Sequence, residues 1–78
     1  MKDFIEFLVK QIVSNPTEVS VSETTEDGIR VYKIKASPED MGVIIGKEGR
    51  NIKSLRNLAK AKAIKDNERI KVIVEELQ

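Results

Sequence analysis

The stretch VIIGKEGRNIKSL, residues 43–55, decides how the rest of the chain is read. Two of the four glycines, Gly46 and Gly49, stand three apart between aliphatic residues and a run of basic side chains. Glycine at both ends of so short a link lets the backbone turn through conformations that a β-carbon penalises by roughly 1–2 kcal/mol. The same lack of side chains lets a second backbone lie directly against the link. A helix that starts at Arg50 points its unpaired N–H groups and positive dipole end at whatever rests there, and an anion is the natural occupant.

The spacing after the glycines predicts that helix over residues 50–63. At about 100° per residue, Ile52, Leu55, Leu58 and Ala59 fall on one arc, and Arg50, Lys53, Arg56 and Lys60 on the adjacent one. The first arc belongs in a core. The second is a basic stripe that begins at the glycine link, where Lys47 extends it, and it suits a sugar-phosphate chain. Glu48 runs against the trend by placing a negative charge beside that path.

Working outward, Phe4, Ile5, Leu8, Val9 and Ile12 recur at helical spacing, with Asp3 near the positive end and Asn15-Pro16 closing the segment. Val19 and Val21 alternate with polar residues, Glu26-Asp27-Gly28 signals a turn, and IRVYKIKA returns with Tyr32, Ile34 and Ala36 on one face. Ser37-Pro38-Glu39-Asp40 has the grammar of a helix start, with Met41, Ile44 and Ile45 as its buried side. The closing RIKVIVEE turns Ile70, Val72 and Val74 inward as a third strand. Two helices precede that strand, and crossovers of this length return a strand parallel to its neighbour. The expected fold is therefore α+β, in the order α-β-β-α-α-β, with one mixed three-stranded sheet. Its helices pack on one face, leaving Lys33, Lys35 and Lys71 on the other or at its margin.

Composition narrows the chemistry. The 78 residues are read as one domain, 40% apolar and 35% charged, with a formal net charge of +1. That charge is unevenly spread: residues 1–42 carry five basic and eight acidic side chains, residues 43–65 seven and one, and residues 66–78 two and four. The absence of cysteine and histidine removes disulfides, the usual zinc ligand sets and the Ser/His and Cys/His nucleophile pairs. No stretch is apolar enough to cross a bilayer, and the first residues lack the pattern of a secretory signal, so a cytoplasmic location is expected. A triphosphate-binding loop fails on spacing: Gly42 and Gly46 are separated by three residues instead of four, and Glu48 stands where a hydroxyl should meet magnesium. No GxG follows a strand, and no carboxylate pair suits acid–base work. The chain is expected not to be an enzyme and to need no cofactor or metal.

The run Ile45-Gly46-Lys47-Glu48-Gly49-Arg50-Asn51-Ile52, with Leu55 following, resembles the IGxxGxxI signature of KH domains. The element order is similar to the type II arrangement, and the resemblance covers the whole chain as a single KH domain, residues 1–78. SPEDMGVIIGKEGRNIKSLRNL resembles the centre of the small bacterial KhpA family. That resemblance implies binding of about four nucleotides of single-stranded RNA, backbone on the GxxG loop and bases in a shallow aliphatic groove. Carried over, Gly46, Lys47, Glu48 and Gly49 hold phosphates; Ile44, Ile45 and Ile52 line the groove; Arg50, Lys53 and Arg56 add attraction. It further implies an RNA chaperone or post-transcriptional regulator, paired with itself or with a second KH-containing protein. Two alternatives stay open: a protein interaction or dimerisation module whose bare loop packs on a partner, and single-stranded DNA in place of RNA.

Overall fold

The computed structural model describes residues 1–76. In chain order it contains α1 (Lys2–Lys10), a single 3-10 turn at Pro16–Glu18, β1 (Ser20–Glu26), β2 (Ile29–Ala36), α2 (Pro38–Ile45), a second 3-10 turn at Lys47–Gly49, α3 (Arg50–Lys65) and β3 (Ile70–Glu76). Three helices and one mixed sheet stand in the order α-β-β-α-α-β, as type II topology requires.

The sheet is ordered β1-β2-β3, with the β2 strand in the middle. β1 and β2 are antiparallel, with Glu26 opposite Ile29, so the connection is two residues long. Asp27 and Gly28 both have positive φ, 51° and 78°, the backbone that twists in step with the flanking strands. β3 then pairs with β2 in parallel, Tyr32 opposite Val72 and Ile34 opposite Val74. Strand alternation turns Val21, Tyr32, Ile34, Ala36 and Val72 toward the helices, where they form one core with Ile5, Val9, Ile44, Ile52, Leu55 and Ala59. Ser22, Thr24, Lys33, Lys35 and Lys71 lie on the opposite face by the same alternation.

Several boundaries differ from expectation. α1 ends at Lys10, and the chain leaves the helix well before Pro16, because the N–H groups of Ser14 and Asn15 are captured by the side chain of Asp40 at 2.9 and 3.0 Å. Ile12 is consequently 44% exposed rather than core. Leu58, expected in the core arc of α3, is 51% exposed, because the buried stripe runs through Ile52, Leu55, Ala59 and Ala63 instead. Leu8, Ile12 and Leu58 share the lining of an open apolar cleft of about 170 Å³. Ile45 is 40% exposed, and α2 buries Ile44 and Asp40 in its place. α3 runs two residues past its expected end, to Lys65.

Candidate nucleic-acid interface

The glycine link is a tight, defined turn. Gly46 closes α2 with φ 75° and ψ 174°, and its N–H donates to Gly42 O at 2.8 Å. Gly49 N–H donates back to Gly46 O at 3.1 Å, and Gly49 opens α3 in the left-handed conformation. No side chain caps the start of α3, so the positive end of a sixteen-residue helix faces outward beside the turn. From behind, Asn51 Nδ2 donates to Val43 O at 2.6 Å and ties the end of α2 to the start of α3.

Glu48, between the glycines, holds a positive φ of 57°. For a residue with a β-carbon that costs about 1 kcal/mol. Glu48→Gly removes both this strain and the one acidic side chain of residues 43–65. It is expected to raise affinity for a short RNA by about threefold to tenfold at low salt, while shifting the melting temperature by only a few degrees, because the added chain entropy of glycine offsets the relieved strain. Fluorescence titration and a thermal melt of the same sample check both parts.

The basic stripe of α3 faces a groove of about 510 Å³ against β3. Lys53, Arg56 and Lys60 line its helical side, Ile70, Val72 and Ile73 the strand side, with Asn57 and Lys71 also bordering it. α3 carries six basic residues and no acidic one. Arg56 Nε donates to Val72 O at 3.1 Å and so bridges the groove. Among the expected site residues, Gly46 to Gly49 form the turn, while Lys53 and Arg56 reach the groove. Arg50 is exposed at the first position of α3.

The three isoleucines do not line this groove. Ile44 and Ile52 are buried in the core, and Ile45 lies exposed at the end of α2 beside the turn. The aliphatic wall comes instead from Ile70, Val72 and Ile73, which sequence reading did not assign to the site. Its trace in the sequence was the strand alternation itself, since Val72 and Ile73 belong to opposite faces yet both reach the rim of an edge strand. Lys60 also lines the groove, as its place on the basic arc foreshadowed.

Comparison with known proteins gives four matches. A family model described as "KhpA/KhpB, KH domain" matches residues 2–74. The RNA-binding protein KhpA of Clostridium acetobutylicum is 44% identical over 72 residues, covering 92% of this chain and 96% of that protein. The RNA-binding protein KhpA of Thermotoga maritima is 48% identical over 61 residues, covering 78% of this chain and 81% of that protein. Among solved structures, Era in complex with MgGDPNP and nucleotides 1506–1542 of 16S ribosomal RNA superposes with a TM-score of 0.69 at 17% identity, over 97% of this chain and 30% of that one. At that identity the likeness concerns the fold alone. With the IGKEGRNI turn set between two helices, and a match that runs from the second residue into the last strand, the chain belongs to the KhpA/KhpB family of KH domains.

Proposed function

We propose that this chain binds single-stranded RNA as one KH module, with backbone phosphates on the Gly46–Gly49 turn and bases in the groove between α3 and β3. The observation that carries this reading is the groove itself: it has an acid-free basic wall and an aliphatic wall opposite, and its first helical lining residue, Lys53, stands three residues along α3 from the uncapped helix start. Lys47, Arg50, Lys53 and Arg56 supply attraction, and Glu48 opposes it. Ile45 offers apolar surface beside the turn, while Ile44 and Ile52 support it from the core. The relatives' description as RNA-binding proteins supports RNA over single-stranded DNA.

Two or three neutralised phosphates give a slope of log affinity against log salt of about −1.4 to −2.1. So small a contact binds weakly, and useful affinity comes from joining two modules. The protein therefore acts in the cytoplasm with a second copy of itself or another KH protein, as an RNA chaperone or post-transcriptional regulator. The paired naming of the family model supports such a partner.

The test is an NMR titration with 8-nucleotide RNA and DNA of matched sequence. RNA is expected to shift amides of residues 45–56 and 70–73, and a protein with both Lys47→Asp and Glu48→Asp is expected to lose at least about tenfold in affinity with its fold intact. Silence of the spectrum at every salt concentration defeats the proposal and favours a protein partner; tighter binding of DNA replaces RNA as the ligand.

A further inference from the structure

We infer that an RNA strand longer than the groove leaves it over the edge of β3 and crosses the outer face of the sheet, where Lys71, Lys33, Lys35 and the hydroxyls of Ser22 and Thr24 take its phosphates. This rests on the nucleic-acid reading above and adds a second surface to it.

The inference starts from the lining of the groove. Its strand wall includes Val72, which turns toward the core, but also Lys71 and Ile73, which alternation puts on the face turned away from the helices. A groove lined from both faces of one strand reaches round the edge of that strand. β3 has such an edge, because it pairs with β2 alone. The way from the groove to the outer face is therefore open along β3.

The register sets out that face in rows across the strands. Thr24, Val31 and Lys71 form one row, and Ser22, Lys33 and Ile73 the next. Glu26 lies beyond the first, toward the hairpin turn, and Glu75 beyond the second, beside Lys35. A polyanion that avoids both acids crosses on the two rows between them, a distance of two strand spacings or roughly 10 Å. Ser22 and Thr24 are exposed, and their short side chains leave the floor low while offering hydroxyl donors, a usual partner of phosphate oxygens. Among the described residues Lys35 and Lys71 form no ion pair. Lys33 Nζ lies 3.2 Å from Glu75 Oε2, but the two side chains are 40% and 49% exposed, and a pair so open to water yields readily to a phosphate. Lysines on a sheet face also serve solubility; the join with the groove is what gives these a ligand.

The test titrates oligouridine RNA of 4 and of 10 nucleotides into the whole protein and follows amide shifts and the dependence on salt. Both are expected to move the groove, and only the longer one the amides of residues 22–24 and 33–35. A longer strand also offers more registers, which raises affinity without contact to the outer face, so the deciding comparison is between proteins. Lys33→Gln with Lys35→Gln keeps long polar side chains and touches nothing in the groove. It is expected to flatten the salt slope for the longer RNA by about 0.7 to 1.4 and to weaken its binding at low salt by about threefold to tenfold, leaving the 4-nucleotide RNA unchanged. Lys33→Arg with Lys35→Arg is expected to bind both as the unaltered protein does. Thr24→Glu, on a different strand, is expected to weaken the longer RNA alone and gives an independent reading should the glutamine protein fail to fold. Still amides on β1, a slope that survives the glutamine change, or equal weakening of both RNAs each overturn the inference while leaving RNA binding in place. If neither RNA binds at low salt, the nucleic-acid reading itself falls and the inference with it.

Discussion

Gly46→Ala is expected to cost about 2–4 kcal/mol of folding stability, which in a chain of this size lowers the melting temperature by roughly 10–25 °C. Two effects add. At φ 75° and ψ 174° the backbone occupies a region held almost entirely by glycine, and a β-carbon there costs about 1–3 kcal/mol. The new atom would also lie 2.7 Å from Asn51 Cγ, 2.9 Å from Asn51 Cβ and 2.9 Å from the Asn51 main-chain nitrogen. The side chain can swing away only by giving up its bond to Val43 O, and the nitrogen belongs to the first turn of α3 and cannot move without it. The neighbouring glycines calibrate the result. Gly49→Ala meets nothing closer than Ile52 Cγ2 at 3.9 Å and carries only the left-handed penalty of about 1 kcal/mol. Gly42→Ala lies inside α2 with ordinary φ and open space, and is expected to stabilise by about 0.5–1 kcal/mol. Urea melts of the three proteins should rank in that order, and a Gly46→Ala protein as stable as Gly49→Ala would show that the turn is not backed as described.

Asp40→Ala is the second large loss, with an expected fall in melting temperature of roughly 10–20 °C. Asp40 is the one buried charged side chain of the described residues. Its carboxylate accepts the N–H groups of Ser14 and Asn15 and the hydroxyl of Ser37 at 3.2 Å, so it fastens the segment after α1 to the start of α2. The Ser14 N–H, above all, and then the Asn15 N–H and the Ser37 hydroxyl hold its pKa below the usual carboxylate value against the opposing effect of burial. A carboxylate with a lowered folded pKa contributes stability that is fully present above its unfolded pKa and is lost as pH falls through the folded value. Between neutrality and about pH 5 its contribution should therefore be constant, and below about pH 4 it should decline. Asp40→Asn keeps the shape and one acceptor oxygen, so its melting temperature should fall less steeply with acid than that of the unaltered protein. Parallel slopes from pH 6 to pH 2.5, an interval of about 3.5 units around the ordinary carboxylate pKa, would remove Asp40 from this role.

These two residues also mark how far the sequence could be read. The hairpin was legible because Asp27-Gly28 states its turn locally, and the parallel return of β3 because two intervening helices leave little else. The glycine turn was legible in position and in its electrostatic frame. The work of Asp40 was not, since its partners lie 25 and 26 residues away and its place three residues into a helix start already had a sufficient local explanation. Ile12, Ile45 and Leu58 were misplaced for a related reason. A helical wheel gives the apolar arc, but which edge of it is covered depends on the length and approach of neighbouring helices, and α1 stops short. The groove wall was hidden in another way, because Val72 is both a core side chain and, through its main chain, part of the rim.

The parallel crossover carries a consequence for biosynthesis. β3 is the last of the described elements to leave the ribosome, and it alone supplies the aliphatic side of the groove. A nascent chain that has exposed residues 1–65 already displays every cation of α3 but has no surface opposite them. Translation stalled at that point would leave a sticky polycation without discrimination, and selectivity among bases would arise only as the final strand zips into place.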